Sequence, residues 1–156
     1  MPFAERIPAI QDYAAVGDCR SVALISRLGS VDWLCWPRLD SGSIFGALID
    51  RYRGGHWRIA PQGDFRSEQH YIPGSNVLQT LFASGDGRAI LTDLMPVCDE
   101  EYKLQAAVPD RHLLRELRCT DGELVFDFDF RPRPDYARQP VNPERRGALG
   151  LRIPSG

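Results

Sequence analysis

The chain has 156 residues, 43% of them hydrophobic and 26% charged, with a net charge of −2. That length suits one globular domain able to bury a real core. A near-neutral charge argues against nucleic acid, and no run approaches the ~18 apolar residues that would cross a bilayer.

Most of the chain alternates with period two between Gly, Pro and Asp-Gly punctuation, the pattern of short antiparallel strands. Ser21 to Ser26 (SVALIS) reads as a strand, Leu28-Gly29-Ser30 as its turn, and Val31 to Trp36 (VDWLCW) as the return. Both arms are apolar at nearly every position, so cover is expected on both faces. Pro37 to Asp40 forms a polar elbow. Ser43 to Asp50 (SIFGALID) offers a serine cap and helical spacing, which predicts one short helix. His56 to Pro61 and Phe65 to Tyr71 are further strands. Asn76 to Ala83 and Arg88 to Val97, joined by Ser84-Gly85-Asp86-Gly87, make a second hairpin. Leu113 to Thr120 and Glu123 to Phe130, joined by Asp121-Gly122, make a third. From Arg131 the text turns rich in Pro, Arg and Gly and reads as an edge, a linker or a cut end, with a further strand starting within Gly147 to Ile153. The fold class is therefore all-β: an antiparallel β-sandwich, incomplete if more strands follow, with one short helix.

The N-terminus, MPFAERIPAIQDY, carries charges where a signal peptide needs an apolar run, so the cytoplasm is expected. Cys19, Cys35, Cys98 and Cys119 lack metal-ligand spacing and read as four buried thiols in a reducing compartment. His56, His70 and His112 lie far apart, so neither a metal nor any other cofactor is expected.

Asp127 and Asp129 share one strand face about 6.8 Å apart, close to the ~6.5–9.5 Å between the acid and base of inverting glycosidases. Yet Phe-Asp-Phe-Asp-Phe is what any half-exposed strand looks like, and no catalytic residue is assigned. Trp33 and Trp57 read as core. Trp36 opens the stiff loop W-P-R-L-D-S, which also presents Arg38 and Asp40. Two readings stay open for these three residues: a contact surface, or an Arg38–Asp40 pair that only closes the turn.

The run IQDYAAVGDCRSVALISRLGSVDWLCWPRLDSGSIFGALID (Ile10 to Asp50) resembles the N-terminal domain of glycoside hydrolase family 15, the family of glucoamylases, glucodextranases and bacterial trehalases. Its trehalase-like form is the nearest in kind. YIPGSNVLQTLFASGDGRAILTDLMPV (Tyr71 to Val97) and LLRELRCTDGELVFDFDFRPRPDYAR (Leu113 to Arg138) agree with it. Leu39 stands where the family usually has phenylalanine, and Gly42 where proline is common. The resemblance implies a β-sandwich ahead of an (α/α)6 barrel, in which two glutamates hydrolyse α-glucosidic bonds with inversion; neither has a counterpart here. It places the domain at residues 1–138, with 139–156 as a tail or a continuation of the sandwich.

The chain is accordingly expected to be a non-catalytic domain that supports and borders such a barrel, with Trp36, Arg38 and Asp40 on the facing loop. The alternative is a free-standing carbohydrate-binding or protein-interaction sandwich. The barrel, in the same polypeptide or another chain, is the expected partner. Self-association through open sheet edges is also expected; nucleic acid and membrane are not.

Overall fold

The structure is a computed structural model, and it describes residues 8–105, 111–138, 141 and 143–153. Its strands are β1 Tyr13–Gly17, β2 Val22–Ser26, β3 Ser30–Cys35, β4 Ser43–Phe45, β5 His56–Pro61, β6 Arg66–Tyr71, β7 Leu78–Ala83, β8 Gly87–Leu94, β9 Leu114–Gly122, β10 Phe126–Arg131, β11 Glu144–Arg145 and β12 Leu151–Arg152. One sheet runs β1-β2-β3-β5-β10 with β4 attached to β3; a second runs β6-β7-β8-β9; among the described residues β11 and β12 pair only with each other. Every pairing is antiparallel. The expected all-β sandwich is what forms.

The two sheets cross steeply. At one end of the β6–β7 hairpin, Tyr71 exchanges hydrogen bonds with Ala15 of β1. At the other end Phe82 packs edge-on against Phe126 of β10, the far edge of the first sheet. The hairpin thus traverses the whole first sheet, as in orthogonal packing. Alternation decides what goes between the layers. Ala23, Ile25, Val31, Leu34, Phe45 and Leu78 form one buried cluster with Val16 and Met95, and Ile59, Phe82 and Leu91 form another.

The first hairpin is covered on both faces, as its composition predicts. Leu24 sits opposite Trp33 and Ile25 opposite Val31, so Asp32 is an extra residue in β3, a β-bulge. The bulge re-aims the Asp32 carboxylate, which accepts hydrogen bonds from the Tyr13 hydroxyl at 2.8 Å and the Ser30 hydroxyl at 2.5 Å. Burial, and the carboxylate beside it, push the Tyr13 phenol well above its usual range. On the outer face Trp33 meets Tyr136, ring centroids 6.4 Å apart.

Three expectations need correction. Ser43 to Asp50 is not a helix: Ser43–Phe45 pairs with β3, and Gly46 turns the chain, its N–H bonded to the Gly54 carbonyl at 2.8 Å. Strand pairing on a prepared edge outweighs the modest helix preference of so short a run. The helix lies instead at Glu100–Gln105 (α1), where the Asp99 carboxylate accepts from the Tyr102 N–H at 2.6 Å. Nor do β9 and β10 form a hairpin. The first extends through Asp121-Gly122 against β8, and the chain then passes to the other sheet, where β10 pairs with β5. Finally, only Cys35 is fully buried. Cys98 is half-buried, and Cys19 and Cys119 are exposed.

The segment after Arg131 is part of the fold up to Arg138. Asp135, Tyr136 and Ala137 take left-handed conformations (φ 50°, 56° and 61°) that L-residues normally avoid. Packing of Tyr136 over Trp33 holds this turn against β4, and Ile44 accepts a bond from the Arg133 N–H at 2.8 Å.

Candidate contact site at the elbow

Asp18 builds one wall. Its carboxylate accepts from the N–H groups of Arg20 (2.9 Å) and Ser21 (2.7 Å), and the Ser21 hydroxyl donates to the Cys35 carbonyl. The Arg20 carbonyl then accepts from the Leu39 N–H at 2.9 Å, which ties the β1–β2 loop to the elbow. Within the elbow the Trp36–Pro37 peptide is cis, and Arg38 and Ser41 bond to each other through N–H to hydroxyl at 3.3 Å and N–H to carbonyl at 3.1 Å.

The three residues singled out in the sequence divide here. Arg38 and Asp40 form a bidentate pair at 3.0 and 3.2 Å, with side chains 69% and 70% exposed. At that exposure the pair contributes ~1 kcal/mol at most to folding. Trp36 turns the other way and packs, half-buried, against the larger core cluster. It anchors the loop while Arg38 and Asp40 face outward. With Cys19, Arg20, Leu39 and Arg111 these two line an open cavity of about 440 Å³. Three guanidiniums and one carboxylate make its polar lining basic, and Leu39, 58% exposed, adds an apolar surface. Such a surface suits a polar or acidic partner.

Asp127 and Asp129 lie apart from this cavity and are already engaged. Gln62 donates to Asp127 at 2.6 Å, while Asp129 meets His56 at 3.1 Å and Arg131 at 2.7 Å. Burial alone would push the Asp129 carboxyl up, but the bonds from Arg131 and His56 outweigh it and hold the group below its usual range. Held below its usual range, Asp129 is not poised as a proton donor. Among the described residues no cluster of His, Cys, Asp or Glu could hold a metal ion.

Reading the sequence missed the main polar element of the interior. Arg115 of β9 donates to Asp93 of β8 at 2.6 Å, both side chains fully buried, and to the carbonyls of Trp57 and Gly29 at 2.6 and 3.0 Å. Its guanidinium also sits 5.1 Å from the centre of the Trp57 ring. Burial pushes the Asp93 carboxyl up against the pull of Arg115. The arrangement bolts the two sheets together and leaves no charge free for chemistry. A signal for it was present: with Ala89 and Leu91 inward, period two also turns Asp93 inward.

Fold and cavity together define a two-layer β-domain with an anchored elbow loop that lines an arginine-rich cavity. The model of trehalase-like N-terminal domains matches residues 3–155. The chain belongs to that family. Relatives include trehalases of Mycolicibacterium smegmatis (36% identical over 142 residues, 84% of this chain and 21% of that protein) and Mycobacterium tuberculosis (34% over 148, 88% and 22%). Trehalase 1 of Sulfolobus acidocaldarius is 38% identical over 143 residues, 87% of this chain and 24% of that protein. The chain spans about a fifth of the length of the curated relatives it matches. No solved structure matches.

Proposed function

We propose that this chain is the non-catalytic N-terminal domain of a cytoplasmic hydrolase of α-glucosidic bonds, acting on trehalose or an α-glucan. In this reading an (α/α)6 catalytic domain follows in the same polypeptide, and the elbow, with Arg38 and Asp40 outward and Trp36 as anchor, borders it. The carrying observation is that relatives named trehalase match this chain over only about a fifth of their own length. The engaged state of Asp127 and Asp129 supports placing the catalytic carboxylates elsewhere.

The test is glucose release from trehalose, maltose and soluble starch. The 156-residue chain alone is expected to release none, and a longer polypeptide carrying the catalytic domain to hydrolyse at least one of the three. In that longer protein Arg38→Ala or Asp40→Ala should lower activity about tenfold, which corresponds to ~1.4 kcal/mol of interaction across the elbow. Turnover by the 156-residue chain that disappears in Asp127→Asn or Asp129→Asn would sink the proposal.

A further inference from the structure

The β1 edge of the first sheet has no protection in its own sequence. Tyr13–Gly17 reads Tyr-Ala-Ala-Val-Gly, without a charge or a proline. Those are the residues that ordinarily keep an edge from adding a further strand.

Backbone alternation says which groups are at stake. The Asp12 carbonyl accepts from the Arg27 N–H at 2.9 Å, so Asp12, Ala14 and Val16 turn their backbone groups toward β2. Those of Tyr13, Ala15 and Gly17 point out of the sheet, yet side chains and a local turn engage them. The Tyr13 N–H donates to the Ile10 carbonyl, within the 3-10 turn at Ile10–Asp12. The Tyr71 hydroxyl accepts from the Ala15 N–H at 2.9 Å and donates to the Ala15 carbonyl at 2.7 Å. One side chain thereby replaces both hydrogen bonds that a neighbouring strand would make at that residue. Asn76 covers the Gly17 carbonyl, its amide donating there at 2.8 Å and to the Met95 carbonyl at 3.1 Å.

Tyr71 ends β6 and Asn76 lies in the connection to β7, and that connection is stiff. The Ile72 N–H donates to the Val77 carbonyl at 2.9 Å, and the Ser75 N–H and hydroxyl both donate to the Ile72 carbonyl, at 3.1 and 2.8 Å. The Val77 N–H donates to the Ser75 hydroxyl at 3.1 Å, and Gly74 takes the left-handed φ of 74° that the tight turn requires. The two side chains are thus held at the ends of a rigid turn, each against its target on β1.

We infer that the β6–β7 turn is a strap across the β1 edge, with Tyr71 and Asn76 as its latches, and that it keeps β1 of a second copy from pairing there. The chemistry of the edge points to that occupant. An uncharged strand of small residues can pair antiparallel with itself about a twofold axis, each copy supplying the same donors and acceptors.

Tyr71→Phe removes only the hydroxyl and keeps the ring, and Asn76→Ala removes the second latch. Residue-by-residue amide hydrogen exchange of the 156-residue chain is compared for the parent, Tyr71→Phe and the double variant. Each is measured at low micromolar concentration and at roughly a hundredfold higher one. The parent should show a protected Ala15 amide at both concentrations. In Tyr71→Phe that amide should exchange about tenfold faster or more at the lower concentration. Its protection should return at the higher concentration, more completely in the double variant, as a second copy pairs with β1. The amides of Ala14 and Val16, bonded to β2, should stay protected throughout and show that the fold is kept. If the double variant loses them, Tyr71→Phe alone decides. An Ala15 amide that exchanges freely in the parent, or equally slowly in parent and Tyr71→Phe, would overturn the inference. So would an Ala15 amide that stays unprotected in the folded variants at the higher concentration.

Discussion

Phe45 and Phe128 are the same residue in the same sheet, each on a core-facing position, yet one is 2% exposed and the other 66%. Around Phe45 the sheet has neighbours on every side: β3 pairs with it, Phe130 meets it edge-on at 5.8 Å, and the Pro134–Ala137 turn lies against β4. Around Phe128, among the described residues, the strand has β5 as its one neighbour. Inward orientation is a property of register, whereas burial is a property of what stands opposite. The first part of the chain supplies both for itself, while at Phe128 and Leu117 the register supplies orientation alone.

The contrast can be broken most forcefully at the bolt between the sheets. Arg115→Leu or Asp93→Leu alone should destabilise the chain by about 3–5 kcal/mol in chemical denaturation, since each leaves an unpaired buried charge. The double substitution should cost clearly less than the sum. Additive losses would mean the pair is not coupled as drawn. The two phenylalanines come next. Phe45→Ala should cost ~3–5 kcal/mol, and Phe128→Ala about 1 kcal/mol or less in the 156-residue chain, where its ring does little more than pack edge-on against Trp57. Equal costs would erase the distinction between a closed and an open region. The smallest effect is electrostatic. The Asp129 carboxyl sits below its usual range in the folded chain, so its contribution is present above the unfolded value of ~4 and is lost as pH falls through the folded value. Asp129→Asn should therefore flatten the stability profile below about pH 4 and slightly lower stability at pH 7. An unchanged acid limb in a urea titration series would show that the His56–Asp129–Arg131 contacts carry no stability.

Strand positions were legible because period-two patterning and Gly-centred turns are local signals; Ser21 to Ser26 and His56 to Pro61 differ from the observed strands by a residue at most. Partners were not. Asp121-Gly122 has the chemistry of a hairpin turn, and Gly122 does take a left-handed φ of 63°, but it does so at the end of β9, packed against Gly87 of β8. Which sheet Phe126 to Phe130 joins depends on Ala60 and Arg58, far earlier in the chain, and no spacing rule encodes that. Ser43 to Asp50 failed for a related reason, because Ile44 and Phe45 suit either a helix face or a strand, and the waiting β3 edge decides. At the elbow the outward Arg38–Asp40 pair could be read from its spacing of two, while the inward turn of Trp36 depended on the core beneath it.

The turn lying over β4 leaves a mark that surveys of related sequences can read. A Cβ placed on Gly42 would come within 3.2 Å of the Asp135 Cα and side chain, so residue 42 and the 134–137 turn share one small volume. Domains of this resemblance that carry proline at position 42 must seat their turn a few tenths of an ångström farther out. Positions 42 and 135 should therefore vary together across the family although they lie far apart in the chain, an imprint of packing where no hydrogen bond exists to enforce it.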